Sequence, residues 1–533
     1  MLFGCLSHQR LICESLDLGT GYAPFCMCSL LFCHGLDVPM GNNDEVKYSL
    51  DDVTRVIADG IQLGAWNMRQ ILAVLAITIT GSCFAEYPNG QKYPNIVLVV
   101  SDDQRPDTIA ALGNPIIQTP NLDQLVRRGS VFLNATCANP ICTPSRGEIL
   151  TGCTGIRNQV FDFGRTLDPA LKTLPEPFND AGYRTWYCGK WHNDGRPGKH
   201  GYQASQGLYT GGGGKWWKPQ ADYRGHSVTG YKGWIFRDQE DQPLPEQGVG
   251  LTPDISTRIA NAAIEVIESS TSPYLLHVNF TAPHDPLLLP PGYEDVYDPA
   301  DIPVPANFLA QHPFDHGNRG GRDEVLLPIP RTKQLVQADL AAYYAVISHM
   351  DAQIGRIMTA IRDRGQTDST VIVFTSDHGL AMGSHGLRGK QNMYEHTIRV
   401  PLIFAGPGIP KGKRWQGHAY LRDLFPTLLE LGGLPTLQCD GRSQVPVMRG
   451  KTRSRYDFTV GYFRDSQRMI RTSQWKLIEY PLVNKTQLFD LKNDPLEQRD
   501  LSADGEHAQL KTRLSSQLKQ WMEHQRTQVS TKL

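Results

Sequence analysis

Two short stretches of the chain place acidic residues directly after an apolar run. Asp102 and Asp103 follow NIVLVVS, and Asp377 with His378 follows VIVFTS. Carboxylates that converge repel one another unless a cation joins them, and hard oxygen ligands suit Ca²⁺ or Mg²⁺. The pattern therefore predicts a cation site, in which His378 either ligates or only lies nearby. The alternative is that these aspartates merely form turns or helix caps.

A third stretch, NPICTPSRGEILTG, sets Cys142 just ahead of Pro144 and Arg146. Proline suits the first turn of a helix, so a helix is predicted to start here. The free N–H groups at a helix start attract anions, and Arg146 adds a positive charge one turn further on. The direct interpretation is a thiolate nucleophile beside an anion site. A buried structural cysteine is the alternative, and spacing alone does not separate the two.

Two further apolar runs also end in polar residues. RTWYC leads into Lys190 and His192, and YLLHVNF leads into His284. Continuous runs of β-branched and aromatic residues are typical of strands that are buried on both faces of a sheet. In such sheets, sites form beyond the carboxyl ends of the strands. We therefore expect these side chains to meet the three aspartates along one edge.

Helical patterns at 121–129, 340–365 and 421–433 separate the predicted strands. This alternation predicts an α/β fold with a large mixed, mostly parallel central sheet flanked by helices. Within 455–525 the pattern changes to alternating strands followed by an amphipathic helix. That segment is predicted to be a smaller C-terminal α+β subdomain with a short antiparallel sheet.

The length of 533 residues and the 40% hydrophobic content allow a large core and more than one domain. The formal net charge of −1 shows no basic excess, so we predict no nucleic-acid partner. Residues 68–85 have the layout of a secretory signal peptide, and their apolar run is short for a membrane span. We therefore expect an exported protein, periplasmic or extracellular, with no stable membrane span after cleavage.

Residues 1–67 precede that signal, and our hypothesis is that they are a misassigned extension, with translation starting at Met68. A buried helix at 68–85 is the alternative interpretation of the apolar run. Cys83 lies in ITGSC, an imperfect match to a lipid-attachment site.

The stretch CTPSRGEILTG closely resembles the signature of the sulfatase family, C-x-P-S-R followed by a spacer and Thr-Gly. The resemblance extends over roughly 94–525 through the acidic pair, GKWH, PHDP, SDHGLAMGSHG and GKQNMYE, in the order that this family uses. It implies a catalytic domain at 94–450, with the segment 455–525 packing on the main sheet and helping to wall the pocket.

The resemblance also implies a modified residue and a metal. A separate formylglycine-generating enzyme would oxidise Cys142 to an aldehyde, which hydrates to a gem-diol. The side chains implied to hold one Ca²⁺ together with the diol oxygen of residue 142 are Asp102, Asp103, Asp377 and His378. His378 is the least secure of these, because many family members have asparagine there.

Further roles follow from the same resemblance. Arg146 would steady the diol, and Lys190 and Lys390 would bind sulfate oxygens and offset developing charge. His192 would hydrogen-bond the diol, and His284 would act as the general acid toward the leaving oxygen. One diol hydroxyl would attack sulfur, and the other would then expel sulfate, which a serine could not do.

The implied function is a sulfuric ester hydrolase that acts on a sulfated small molecule or glycan. One alternative is a phosphonate monoester or phosphodiester hydrolase of the same superfamily. Another is a non-catalytic protein that binds sulfated glycans. The glycine- and tryptophan-rich segment 208–238 is interpreted as a loop over the pocket, in which Trp216, Trp217 and Trp234 either stack on a sugar or fasten the loop.

Overall fold

A computed structural model of the protein describes residues 93–271 and 273–530. The predicted signal peptide at 68–85 and the extension at 1–67 lie outside these residues. Apart from Tyr93, all of the described residues belong to one compact unit that begins at Pro94. None of the helices in the described ranges combines the length and the hydropathy that a membrane crossing requires.

A sheet of ten strands forms the centre of the described residues. Its strands are β1 Asn95–Ser101, β2 Gly129–Thr136, β3 Arg184–Lys190, β4 Ala204–Thr210, β5 Ile235–Arg237, β6 Tyr274–Asn279, β7 Thr370–Ser376, β8 Arg399–Val400, β9 Leu402–Ala405 and β10 Lys413–Tyr420. The spatial order is β10-β2-β9-β7-β1-β6-β3-β4-β5, with β8 beside β2.

Most strands of this sheet run in one direction. The neighbours β7, β1, β6, β3 and β4 are parallel, and β10 is parallel to β2. Strand β9 is antiparallel to both β7 and β2, so β2 points the same way as β7. The prediction of a mixed, mostly parallel sheet is confirmed. The carboxyl ends of β1, β2, β3, β6 and β7 consequently lie along one edge.

The strands form where the sequence is continuously apolar, because both faces of the sheet are covered. Every residue of β1 and β6 is buried. The helices in the described part of the chain are α1 Pro120–Arg128, α2 Cys142–Thr151, α3 Pro175–Asp180, α4 Ile255–Ser269, α5 Lys333–Asp363, α6 Glu395–Ile398, α7 Leu424–Leu431, α8 Val445–Met448 and α9 Ala508–Ser530. Helix α5 begins before the predicted position 340, because Thr332 accepts a hydrogen bond from Leu335 N at 3.2 Å and caps the helix there.

A second, antiparallel sheet follows in the order β11-β12-β13-β14. Its strands are β11 Phe458–Phe463, β12 Gln467–Thr472, β13 Trp475–Tyr480 and β14 Lys485–Asp490. Helix α9 packs on one face of this sheet through Leu514 and Leu518, which join the buried side chains of Val460 and Ile470. The small antiparallel sheet with a closing helix agrees with the fold class expected from the sequence.

A buried ionic cluster joins this small sheet to the segment that follows β7. The Glu395 carboxylate accepts hydrogen bonds from Arg471 Nε at 2.8 Å and from Lys476 Nζ at 3.1 Å. Lys476 Nζ also lies 2.7 Å from Glu497 Oε1, and Glu497 Oε2 accepts from Glu395 N at 2.8 Å. The side chains of Lys476 and Glu497 are 0% and 1% exposed. Removal of one member would leave a buried charge without its partner.

Glu497 gives the stability of this cluster a dependence on pH. Burial raises the pKa of Glu497 to about 7, even though Lys476 opposes the shift. A carboxyl group whose pKa is raised in the folded state stabilises the fold at low pH, and that stabilisation is lost as the pH rises through about 7. We expect Glu497→Gln to remove this part of the decline. Melting temperatures of the wild type and of Glu497→Gln at pH 5.5 and 8 test this. An equal fall in melting temperature between the two pH values in both proteins would contradict it.

Candidate active site

The strand ends bring the predicted side chains to one place. Asp102 and Asp103 follow β1, Asp377 and His378 follow β7, and Lys190 is the last residue of β3. Asp103 has a positive φ of 67°, a conformation that aspartate tolerates better than most residues. This turn lets Asp103 N donate to Asp377 Oδ1 at 3.1 Å, which ties the ends of β1 and β7 together.

Helix α2 starts at Cys142 and points its first residue at this cluster. Cys142 Sγ lies 3.5 Å from Asp102 Oδ1, 3.4 Å from His378 Nε2 and 3.5 Å from Lys390 Nζ. The cysteine therefore contacts an acid, an imidazole and an ammonium group at once.

Each of the three aspartates has a buried cationic partner. Lys190 Nζ donates to Asp102, and Lys390 Nζ donates to both oxygens of Asp103 at 2.8 and 2.9 Å. Arg146 Nη2 lies 3.0 Å from Asp377 Oδ2. Because the three acids and the three cations balance, a bound divalent cation would give the cluster a positive surplus. Such a surplus attracts an anionic substrate.

The environment does not favour a thiolate at Cys142. Burial, followed by the nearby Asp102 charge, raises the pKa of the Cys142 thiol well above its ordinary value. The thiol is therefore neutral at neutral pH, and an unmodified Cys142 is a poor nucleophile. Of the two interpretations drawn from the sequence, the activated thiolate is the one that the structure disfavours.

The donor atoms at the strand ends fit a cation. Ligand atoms of Asp102, Cys142, Asp377 and His378 lie within 4.8 Å of one another, and a second, overlapping group is Asp102, Asp103, Cys142 and His284. His378 Nδ1 lies 3.1 Å from the Gly379 carbonyl oxygen, a contact in which Nδ1–H donates and Nε2 keeps its lone pair toward Cys142. The first group thus offers carboxylate oxygens, the ligands that Ca²⁺ prefers, together with the imidazole of His378.

A cavity of about 330 Å³ opens above Cys142. Its walls are formed by Cys142, Phe163, His192, Thr229, Gly230, Tyr231, Trp234, His284, Arg322, Asp323, Lys390 and Gln391. The lining combines charged side chains with the aromatic rings of Phe163, Tyr231 and Trp234. This volume suits a ligand the size of one sugar ring with its ester group.

Two histidines line this cavity, His192 after strand β3 and His284 after the neighbouring strand β6. The His192 ring packs edge-on against Trp234 with a centroid distance of 5.0 Å, and its buried Nδ1 has no hydrogen-bond partner among the described residues. His284 Nδ1 lies 2.5 Å from the Asp285 carbonyl oxygen, so its Nε2 points to Asp103 Oδ2 at 3.8 Å. Burial, with Lys390 for His284 and Lys190 for His192, lowers both pKa values well below the ordinary range.

Lys190 lies deeper than the sequence interpretation expected. Its ammonium group is bonded to Asp102 and lies 5.2 Å from the centroid of the Tyr231 ring, beneath the cavity wall. The Tyr231 hydroxyl donates to the same Asp102 oxygen at 2.5 Å. Lys390, in contrast, lines the cavity directly. The two lysines are thus not equivalent in this structure.

Sequence reasoning missed several side chains of the site. Asn279 Oδ1 accepts from Arg146 Nη1 at 2.5 Å and fixes the guanidinium. Asn279 ends the strand β6, so the strand-end rule could have found it. Tyr231 and Arg322 come from long connecting segments, and no spacing pattern marks them.

The segment 208–238 divides its aromatic side chains between two roles. Trp234 lines the cavity. Trp217 packs on Gly250, where an added Cβ would lie 2.4 Å from the indole ring, so this tryptophan fastens the loop.

Two other histidines, His349 and His385, do not line the cavity. His349 Nε2 lies 3.2 Å from Thr257 Oγ1. The His385 ring stacks on the Tyr394 ring with a centroid distance of 3.9 Å.

Comparison with known proteins explains this arrangement. A family model described as Sulfatase matches residues 94–434, and the model described as N-sulphoglucosamine sulphohydrolase, C-terminal matches residues 383–524. The arylsulfatase of Clostridium perfringens is 30% identical over 436 residues, which cover 76% of this chain and 90% of that protein. The chain belongs to the sulfatase family. This sulfatase is accordingly an enzyme, a sulfuric ester hydrolase.

Two further matches are more distant, one in sequence and one in structure. An N-acetylglucosamine-6-O-sulfatase of Bacteroides thetaiotaomicron is 25% identical to this sulfatase over 541 residues, covering 87% of this chain and 92% of that protein. The solved phosphonate monoester hydrolase of Agrobacterium radiobacter has a TM-score of 0.66 at 22% identity, and the match covers 81% of this chain and 96% of that one. The latter likeness shows a shared fold.

Proposed function

We propose that this sulfatase removes sulfate from a sulfated carbohydrate, and that it uses formylglycine made from Cys142 and one bound Ca²⁺. The observation that carries the proposal is the position of Cys142. It begins helix α2 at the floor of the cavity, within 3.5 Å of Asp102, His378 and Lys390. An unmodified thiol with a raised pKa has little use there, whereas a hydrated aldehyde supplies a hydroxyl nucleophile and a second hydroxyl for release of sulfate.

The side chains of this sulfatase divide the remaining work. Lys390 presents its ammonium group to the cavity and offsets negative charge that develops on sulfate oxygens. Arg146 holds Asp377, and Lys190 with Tyr231 holds Asp102, so these three orient carboxylates. His192 has a free, buried Nδ1 for the group at residue 142. His284 Nε2 is placed to deliver a proton to the leaving oxygen once an anionic substrate has raised its pKa.

The metal would be held by Asp102, Asp377 and His378, with Asp103 as a further carboxylate shared with Lys390. A bound Ca²⁺ would act as a Lewis acid and neutralise sulfate oxygens. The carbohydrate part of the proposal is supported by the aromatic rings that line the cavity and by the relative whose name is N-acetylglucosamine-6-O-sulfatase.

Mass spectrometry of the peptide that ends at Arg146 tests this function. Protein from its native host is expected to carry an aldehyde at residue 142 in place of the thiol, and to release sulfate from sulfated sugars. An unmodified thiol in catalytically active protein would refute the formylglycine mechanism. This outcome would leave the sulfatase assignment standing and would require another nucleophile.

Calcium is expected to stabilise the folded protein. A ligand that binds only the native state raises the melting temperature with its concentration. We expect EGTA to lower the melting temperature and added Ca²⁺ to restore it, whereas Asp377→Asn should lose most of this response. Asp440→Asn, which removes a carboxylate that is paired with Arg157 outside the cavity, serves as the matched control. Equal calcium responses in the two variants would argue against a site at Asp377.

A phosphonate monoester or phosphodiester hydrolase is the second candidate, because the phosphonate monoester hydrolase with the same fold also accepts a tetrahedral anion. Parallel assays with aryl sulfate and aryl phosphonate monoesters distinguish the two activities. Export from the cytoplasm and modification by a formylglycine-generating enzyme remain part of the proposal. A purely binding role is disfavoured, since burying these charges without an anion or metal to bind is costly.

A further inference from the structure

The rim of the catalytic cavity carries a guanidinium group that the chemistry at Cys142 does not use. Arg322 lies in the segment between β6 and α5 and lines the cavity together with Lys390. Its side chain is 35% exposed, whereas the side chains of its partners Asp285 and Asp323 are 5% and 3% exposed. Arg322 is therefore anchored from below and open toward the cavity.

The hydrogen bonds of Arg322 leave two donors free. Its Nη1 donates to Asp285 Oδ2 at 2.6 Å, and its Nη2 donates to Asp285 Oδ1 at 2.7 Å and to Asp323 Oδ1. A guanidinium has five N–H groups, so Nε–H and the second hydrogen of Nη1 remain. Nothing in the described part of the chain accepts from these two hydrogens. These three hydrogen bonds hold the Arg322 guanidinium rigidly, and its two remaining N–H groups are available to a ligand.

Gly230 keeps the space that this geometry needs. A Cβ atom at residue 230 would lie 2.6 Å from Arg322 Nη1 and 3.1 Å from the Asp285 carbonyl oxygen. Any larger residue would therefore push the guanidinium away from Asp285. The lack of a side chain at residue 230 thus leaves room for the guanidinium of Arg322 beside Asp285.

The charge of Arg322 is already matched by its own partners. Burial would raise the pKa of Asp285, but Arg322 and Arg388 hold that pKa below its ordinary value. Burial would likewise raise the pKa of Asp323, which Lys390 and Arg322 lower. Both carboxyl groups are therefore charged at neutral pH. Two further cations lie near them: Arg388 Nη1 is 3.7 Å from Asp285, and Lys390 Nζ is 3.7 Å from Asp323. Each of these cations has a closer acid of its own, Asp339 at 3.2 Å for Arg388 and Asp103 at 2.8 Å for Lys390. Beside Arg322 itself the two acids therefore outweigh the one guanidinium, which disfavours a further anion there and leaves room for an uncharged oxygen.

We propose that Arg322 determines specificity by donating to a hydroxyl of the alcohol that carries the sulfate, and that it selects neutral sugar sulfates over hexuronate or doubly sulfated ones. The proposal rests on the proposed function, because it needs a sulfate ester bound above Cys142. Asp285 and Asp323 are positioning residues, since their carboxylates hold the Arg322 guanidinium in place and offset its positive charge. Trp234, which also lines the cavity, supplies an apolar face for the ring.

Steady-state kinetics on three probes test the proposal: nitrophenyl sulfate, a set of neutral hexose sulfates, and the corresponding hexuronate sulfates. For Arg322→Gln we expect the ratio of kcat/KM on hexose sulfate to that on nitrophenyl sulfate to fall about 10- to 100-fold, the loss of one charge-assisted hydrogen bond. For Asp323→Asn we expect the ratio of hexuronate to hexose sulfate turnover to rise. Because Asp323→Asn retains Arg322, this variant still tests the proposal if Arg322→Gln fails to fold.

Three results would overturn the proposal. One is a wild-type enzyme that hydrolyses nitrophenyl sulfate but prefers hexuronate sulfates or rejects every hexose sulfate. Another is an equal fall on both substrates in Arg322→Gln, which would mark a purely structural residue. The third is an unchanged ratio in both variants. Failure of the proposed function looks different: the wild type would then hydrolyse no sulfate ester, even with residue 142 modified.

Discussion

Cys142→Ser is expected to reduce the steady-state turnover of sulfate esters by about 10⁴-fold or more, a loss comparable to removal of a catalytic nucleophile. Serine supplies one hydroxyl group at the floor of the cavity, where Lys390 Nζ lies 3.5 Å from the native sulfur. It has no second hydroxyl to expel sulfate after a first attack. We therefore expect at most one turnover, followed by a stable sulfated serine.

Mass spectrometry of the intact variant after exposure to nitrophenyl sulfate checks this outcome. Cys142→Ser should gain the mass of one sulfo group, whereas Cys142→Ala should gain nothing. Cys439→Ser is the matched control, because this half-buried cysteine lies outside the cavity wall. Normal turnover by Cys142→Ser would refute the requirement for two hydroxyl groups on one carbon.

The largest effect on stability is expected from Glu395→Gln, which should lower the free energy of unfolding by about 3–5 kcal/mol. The change removes the carboxylate that accepts from Arg471 Nε at 2.8 Å and from Lys476 Nζ at 3.1 Å. Both cations then lose a partner in a buried environment, and Lys476 is 0% exposed. The junction between the small sheet and the segment after β7 should weaken first.

Denaturant unfolding of the wild type and of two variants measures this effect. Asp363→Asn is the matched control, since Asp363 is 63% exposed and pairs with Arg362, which is 66% exposed. Exposed pairs of this kind contribute within about 1 kcal/mol. If Glu395→Gln costs no more than Asp363→Asn, the buried cluster does not hold the small sheet in place.

The parts of the fold that the sequence predicted well are those with strong local patterns. Strands β1, β6 and β7 are continuously apolar because helices cover both faces of the sheet, and that burial is visible as a run of letters. The start of α5 was placed too late because the helix begins with two polar residues, Lys333 and Gln334, and its start is set by the Thr332 cap. A single capping residue marks a helix start less clearly in the sequence than hydrophobic periodicity marks the body of the helix.

The sequence by itself determined the fold class, the family and the convergence of Asp102, Asp103, Cys142 and Asp377, because strand ends and the CTPSR motif are local features. Only the tertiary structure decided which partner each charge takes. Tyr231 reaches Asp102 across 129 residues of chain, and Lys190 turns to that same aspartate beneath the cavity wall. Such contacts depend on how long connections pack over the sheet, and a linear pattern carries no record of that packing.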